Sequence, residues 1–260
     1  MANNTMKAVI FHKPYEVGIE ERQIPKIKEP TDIIVKVIYT ALCGSELHVY
    51  RGHEFTGVVE EVGSGVKSFK KGDQIVSPFT ISCGECFYCE RGFSSRCSKG
   101  ALFGTAALDG AQAELVSVRV PLADATVMKA PEGIADTALV LMADIFPTGY
   151  FAAHNAFKDM KKEEITEATV VVIGCGPVGL CAVINAEEYK PKHLLAVDSI
   201  QARMDQAKSL GAEPWNFQAD REGLDERVKE LTDGRGADVV IGKSFHLAGE
   251  FRVPSLTRSI

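Results

Sequence analysis

A glycine-rich turn between an apolar strand and an apolar helix is the feature that most limits how this chain can fold. Residues 169–173 form a continuous run of the kind found in buried parallel strands. Three glycines follow with the spacing Gly-x-Gly-x-x-Gly, at Gly174, Gly176 and Gly179. An apolar helix is predicted from Val178 to Asn185, and a second strand, 193–197, ends at Asp198. The spacing alone is a weak indication, but in this context it predicts a parallel α/β fold that binds a dinucleotide.

The same turn has the chemistry of a phosphate site. Its glycines allow a tight turn and let the N-terminus of the following helix approach a pyrophosphate. Asp198 lies 19 residues after Gly179, where a carboxylate can accept hydrogen bonds from the adenosine ribose hydroxyls. A carboxylate there repels a 2′-phosphate, so NAD is favoured over NADP. The predicted cofactor-binding residues are Gly174, Gly176, Pro177, Val178, Gly179, Asp198 and Arg203.

Four cysteines on one short segment indicate a metal site. Cys83, Cys86, Cys89 and Cys97 are separated by two, two and seven residues. Four sulfurs at this spacing can close a tetrahedron around one Zn²⁺ with no open position. A redox pair or disulfides are the alternatives, and both are disfavoured in a chain that starts without a signal-peptide pattern. The spacing therefore predicts a structural zinc lobe.

A second group of ligand-type side chains lies between Cys43 and Glu54. This run contains a thiol, a hydroxyl, two imidazoles and two carboxylates. A thiolate with an imidazole nitrogen suits Zn²⁺, whereas the alternative is a polar loop with a buried free cysteine. Asp144, far along the chain, could cap a helix or serve as a carboxylate ligand. The residues alone leave both choices open.

Short β-branched and apolar runs surround these two groups. The predicted strands are 7–11, 32–39, 55–62, 73–76, 111–120 and 126–129. Short strands at this spacing favour a small barrel-like β domain. After Asp198 an α/β alternation continues, with predicted helices 200–210 and 220–232 and predicted strands 213–217 and 237–241.

Composition limits the class of partner. The 260 residues carry a net charge of −6, with 45% hydrophobic and 25% charged residues, as in an ordinary soluble globular protein. This balance argues against nucleic acid and anionic membrane as partners. Residues 168–186 carry no charge and are long enough to span a membrane, but glycines and a proline interrupt them, which favours a buried strand and helix. A cytoplasmic location is expected.

These motifs together resemble the medium-chain, zinc-dependent alcohol dehydrogenase superfamily over roughly residues 6–241. The run from Asp144 to Tyr150 is most similar to the formaldehyde dehydrogenase-like branch. The resemblance implies a GroES-like β-barrel domain over 1–145 with the zinc lobe at 83–97, and a partial NAD-binding Rossmann domain over 146–242. It also implies a non-family tail at 243–260. The chain is expected to be shortened before His53 and truncated at its C-terminus, without the half of the Rossmann domain that forms the family's homo-oligomer interface.

The resemblance also implies residue roles. Cys43, His53 and Asp144 correspond to the catalytic-zinc ligands, and Glu54 to a carboxylate that can approach the metal. Ser45 and His48 correspond to a relay that passes a proton outward. The implied reaction is zinc-assisted hydride transfer between a small alcohol or aldehyde and NAD, with one structural and one catalytic zinc. The alternative is a catalytically weak or inactive zinc-binding form of such an enzyme.

Overall fold

The computed structural model describes residues 5–13, 16–44, 52–105, 107–112 and 117–242 of the chain. The chain divides into two compact units between Asp144 and Ile145. Within the described ranges, no helix has the length and apolar character needed to cross a membrane. The uncharged stretch 168–186 is instead a buried strand that continues into a helix.

The first unit consists mainly of antiparallel strands. Its strands are β1 (Thr5–Lys13), β2 (Glu16–Gln23), β3 (Ile33–Thr40), β4 (Phe55–Val62), β5 (Gln74–Ser77), β6 (Ser117–Val120) and β7 (Met128–Lys129). Its one-turn helices are α1 (Ala123–Thr126) and α2 (Asp136–Leu139), and short 3-10 turns occupy Cys89–Arg91, Ser94–Arg96 and Val140–Ala143. β1 pairs with β2, and the other strands form a sheet in the order β6-β3-β4-β5-β7.

Apolar side chains of the larger sheet form the core of this unit. Along β3, Val35 and Val37 are buried while Lys36 between them is exposed, which is the two-residue period of a strand. Phe55 on β4 is fully buried and meets Phe103 edge to face, with ring centroids 5.2 Å apart. This core fixes the ends of β3 and β4, where the ligand-type residues lie.

The first unit differs from the sequence-based expectation in three places. In the predicted strand 111–120, residues 111 and 112 are not in a strand, and β6 covers Ser117–Val120. β2 was not predicted because half of its residues are charged and its only apolar side chains are Val17 and Ile19, yet it pairs along β1 from Glu16 to Gln23. The predicted strand 126–129 is wrong at its start, since Thr126 ends α1 and only Met128 and Lys129 pair with β5. Backbone pairing with a neighbour, which no local pattern reveals, decides the last two cases.

The second unit is a parallel sheet with helices between its strands. Its elements are α3 (Ile145–Phe157), α4 (Lys162–Thr166), β8 (Thr169–Ile173), α5 (Pro177–Glu187), β9 (His193–Asp198), α6 (Gln201–Ser209), β10 (Glu213–Asn216), α7 (Glu222–Leu231) and β11 (Val239–Gly242). The strand order is β10-β9-β8-β11. Every residue of β8 is buried, as expected of a central parallel strand. The predicted fold class, a β-rich part followed by a Rossmann-like α/β part, is confirmed.

Close packing explains the last glycine of the turn between β8 and α5. A Cβ atom added to Gly179 would lie 1.7 Å from the carbonyl oxygen of Gly174. No side chain fits at that distance, so α5 can only follow β8 this tightly with glycine at position 179. The turn therefore keeps the N-terminus of α5 beside the carboxyl end of β8.

Candidate active site and zinc lobe

Four potential ligands from three separate parts of the chain converge in the first unit. Cys43, His53, Glu54 and Asp144 each offer one ligand atom, and these atoms all lie within 4.8 Å of one another. His53 Nε2 is 3.4 Å from Glu54 Oε1 and 3.7 Å from Asp144 Oδ2. Ligands about 2.0–2.3 Å from a tetrahedral zinc are separated by similar distances. The structure thus brings together the residues that the family resemblance implied as one metal site, here called the catalytic cluster after the role that the resemblance implies.

Strand pairing explains how Cys43 meets His53 and Glu54. Cys43 follows the end of β3, and Glu54 directly precedes β4. Thr40 and Phe55 are opposite each other in the antiparallel register of these strands. The two ligand segments therefore leave the sheet side by side, whatever the length of the loop between them. Residues 45–51 of that loop, including Ser45 and His48, lie outside the described residues.

Asp144 reaches the cluster through local packing. It directly follows the 3-10 turn Val140–Ala143. Leu139 and Ala143 are buried against Val76 of β5, which fixes this turn on the sheet. Asp144 directly precedes α3, a position that suits a helix cap, and its proximity to His53 also suits a carboxylate ligand.

The catalytic cluster has the electrostatics of a cation site. Burial lowers the pKa of His53, but hydrogen bonding to Asp144, Glu54 and Cys43 outweighs it and raises the pKa to about 10. The metal-free cluster therefore holds a proton on the imidazole at neutral pH. A thiolate, an imidazole and two carboxylates form a donor set suited to a divalent ion such as zinc, whose two positive charges would replace the single charge of the proton.

Zinc affinity at the catalytic cluster is expected to rise with pH. Since the proton on His53 must leave before its nitrogen binds a metal, affinity should increase at least about tenfold per pH unit at pH values below the His53 pKa. The same proton stabilises the metal-free fold below the unfolded-state pKa of 6.5, and that contribution is lost as pH rises toward about 10. Competition with a chelator across this range measures the affinity. A flat pH profile would contradict ligation by His53.

The four cysteines of the predicted zinc lobe also converge. Ligand atoms of Cys83, Cys86, Cys89 and Cys97 lie within 4.8 Å of one another, and all four thiols are free. Backbone N–H groups of Ser98 and Cys89 lower the pKa of Cys86 to about 5, as suits a thiolate ligand. No residue from 82 to 100, all of which the structure describes, is buried. The lobe therefore lacks an apolar core of its own, and a metal ion would supply the missing cohesion.

The dinucleotide turn in the second unit has room for a phosphate. Gly176 is the N-cap of α5, and Pro177 and Val178 open its first turn. A Cβ atom added to Gly174 or Gly176 would meet no atom within 4 Å, so the space above the turn is open. The backbone N–H groups at this helix end can approach an anion there.

Asp198 at the end of β9 is held in place by the backbone. Its Oδ2 accepts a hydrogen bond from Cys175 N at 2.7 Å, and its Oδ1 accepts from Ser199 N and Ile200 N. Burial raises the pKa of Asp198, but these donors outweigh burial and hold it below its usual value. The bond from Cys175 was not foreseen, because a backbone N–H leaves no trace in side-chain identity. Arg203 lies on α6 with Nη1 3.8 Å from Asp198 Oδ2.

Comparison with known proteins identifies the family. Residues 29–132 match the model for the alcohol dehydrogenase GroES-like domain. Over 253 residues the chain is 50% identical to the medium chain reductase/dehydrogenase ucsI from Acremonium sp, covering 93% of this chain and 86% of that relative. The chain belongs to the medium-chain zinc-type alcohol dehydrogenase family. This family member is also 69% identical over 249 residues to zinc-type alcohol dehydrogenase B from Aspergillus flavus, covering 92% of this chain but 58% of that relative.

Solved structures of other alcohol dehydrogenases have a similar fold. Alcohol dehydrogenase TADH from Thermus sp. ATN1 is 33% identical, with a TM-score of 0.80 over 91% of this chain and 70% of that one. The protein rspB from E. coli CFT073, described as a short chain alcohol dehydrogenase and solved in complex with NADH, is 30% identical, with a TM-score of 0.75 over 94% of this chain and 71% of that one. The chain thus spans between 58% and 86% of the length of these relatives.

Proposed function

We propose that this chain is a zinc- and NAD-dependent dehydrogenase that exchanges a hydride between a small alcohol or aldehyde and the nicotinamide. The observation that carries the proposal is the convergence of Cys43, His53, Glu54 and Asp144 within 4.8 Å. Family membership supports the same class of reaction. The chain's own residues also provide an open glycine turn and a fixed carboxylate suited to a dinucleotide.

The residues of the catalytic cluster have distinct proposed roles. When bound, zinc supplies a Lewis acid toward the oxygen of the alcohol. Cys43 and His53 would hold the ion together with Asp144. Glu54 is nearly fully buried, and its carboxylate lies beside the His53 imidazole, so it can approach or leave the same position. Ser45 and His48 are proposed to move the proton of the alcohol outward to solvent.

NAD is the proposed cofactor because Asp198 is charged and fixed. Its carboxylate is oriented by three backbone N–H groups, which favours ribose hydroxyls and opposes a 2′-phosphate. The relative rspB was solved with NADH, which supports a nicotinamide cofactor in this chain too.

Replacing Asp198 by asparagine is expected to reduce the preference for NAD over NADP at least about tenfold, which corresponds to about 1.4 kcal/mol of lost charge repulsion. Calorimetric titration of each cofactor measures the ratio without requiring turnover. Asp205→Asn is the matched control, because Asp205 lies exposed on α6 and bonds only to Gln201 among described residues. An unchanged ratio in Asp198→Asn would contradict the assignment of Asp198 to the ribose.

The direct test of function pairs a zinc count with an activity assay. Purified chain is supplied with NAD and a panel of primary alcohols and hydroxymethyl thiols, and NADH formation is followed by absorbance. Two zinc ions per chain with turnover would support the proposal. Two zinc ions without turnover would favour the alternative of a catalytically weak or inactive zinc-binding form. A single zinc and no NADH would contradict the proposal.

A further inference from the structure

A side chain outside the ligand set joins the two segments that carry most of the catalytic cluster. Thr40 is the last residue of β3, three positions before Cys43. Its hydroxyl donates a hydrogen bond to the backbone carbonyl oxygen of Glu54 at 2.9 Å. The N–H of Ala41 donates to the same oxygen at 3.1 Å. The carbonyl of Glu54 therefore has both lone pairs engaged by the segment that leads to Cys43.

The carbonyl on the other side of His53 is fixed as well. The oxygen of Gly52 accepts a hydrogen bond from Ala111 N at 2.7 Å. Gly52 has a φ of +57°, and a Cβ atom added to it would lie 2.4 Å from Gln112 N. His53 is thus held between two anchored carbonyl groups, one of which depends on Thr40.

The hydroxyl of Thr40 acts where strand pairing weakens. The ladder between β3 and β4 has a register shift between Val37 and Tyr39, and its last pair is Thr40 with Phe55. Beyond that pair, the bonds that Thr40 and Ala41 donate to the Glu54 carbonyl continue to join the two segments. The hydrogen bond from the Thr40 hydroxyl therefore reinforces the pairing of β3 with β4 at the end of the sheet that leads to the ligand residues.

We propose that Thr40 is a positioning residue for the catalytic cluster. By tying the Glu54 carbonyl to the end of β3, its hydroxyl holds His53 and Glu54 opposite Cys43 before a metal binds. A metal site that is already ordered loses less conformational entropy on binding, and hydrogen-bonding partners behind metal ligands typically contribute about 10–100-fold in affinity. The inference rests on the proposed function only for the role of the bound metal in the reaction. Whether Thr40 helps the cluster to bind a metal does not depend on that role.

Variants of the full chain can separate the effect of the Thr40 hydroxyl from the effect of the side chain's volume. Thr40→Val removes the donor with nearly the same shape, and Thr40→Ser keeps it. Thr56→Val is the matched control: Thr56 lies two residues beyond Glu54 on β4, and its buried hydroxyl has no hydrogen-bond partner among the described residues. Each variant is loaded with zinc and titrated with a chelator, with the zinc of the four-cysteine lobe as internal reference. Cobalt-loaded samples give visible spectra that report the ligand geometry.

We expect Thr40→Val to release the cluster zinc at a chelator concentration at least about tenfold lower than the wild type requires. The cobalt bands should change, and release of the lobe zinc should be unchanged. Thr40→Ser and Thr56→Val should behave like the wild type. The inference is overturned if Thr40→Val retains wild-type affinity and spectrum, loses both ions equally, or is not rescued by serine. A wild-type chain that binds both ions without producing NADH would contradict the proposed function alone, because the affinity comparison still tests Thr40.

Discussion

Replacing Cys43 by alanine is expected to remove one of two zinc ions and to lower turnover with NAD by about 10³-fold or more. Cys43 provides the sulfur of the catalytic cluster, and its loss leaves an imidazole and two carboxylates. A Lewis acid contributes several kcal/mol to stabilising charge on the reacting oxygen, and each 1.36 kcal/mol is tenfold in rate. Zinc content by mass spectrometry and steady-state NADH formation measure the two effects.

The matched control for this variant is Cys181→Ala. Cys181 is a buried cysteine on α5 and belongs to neither cluster. It should retain both zinc ions and most of the activity, apart from a small loss of stability from the cavity. If Cys43→Ala instead kept two zinc ions and full turnover, Cys43 could not be a ligand, and the catalytic cluster would lose its assignment.

The second large effect is expected in the zinc lobe. Replacing Cys86 by alanine should release the lobe's zinc and unfold residues 83–100 locally, because none of them is buried. Structural zinc sites contribute about 10–16 kcal/mol of binding free energy in isolated peptides. Losing even about a quarter of that free energy would lower the stability of the fold substantially. At about 2–4 °C per kcal/mol for a chain of this size class, the unfolding midpoint should fall by about 5–16 °C.

Limited trypsin digestion locates the effect. Arg91, Arg96 and Lys99 lie within the lobe, and cleavage after them should accelerate at least about tenfold in Cys86→Ala. Phe87→Ala is the control, since Phe87 is the neighbouring residue, is 62% exposed and does not belong to the cluster. Equal cleavage of both variants, or a lobe that stays protected after zinc removal, would show that the lobe does not depend on metal.

Periodic and clustered features could be predicted from the sequence. The continuous apolar run of β8, the glycine spacing and the carboxylate at Asp198 together predicted the parallel sheet and its turn, because each reflects local backbone chemistry. The four lobe cysteines are within 15 residues of one another, so their grouping needed little knowledge of tertiary structure. Local sequence carries such information directly.

Features that depend on distant contacts could not be predicted. Half of the residues of β2 are charged, and it is a strand because β1 pairs with it. Asp144 is 91 residues from His53, and only the packing of Leu139 and Ala143 on Val76 brings it to the cluster. From its residue type alone it could equally have been a helix cap. The hydroxyl of Thr40 was also missed, since a threonine at a strand end is common and its acceptor is a backbone atom.

The central claim is that Cys43, His53, Glu54 and Asp144 form a metal site separate from the four-cysteine lobe. Zinc-edge X-ray absorption on the purified full chain tests it most directly, because it counts sulfur against nitrogen and oxygen around the metal. We expect two ions per chain that share five sulfur ligands, with nitrogen and oxygen completing the second site. A single ion per chain surrounded by four sulfurs would contradict the claim.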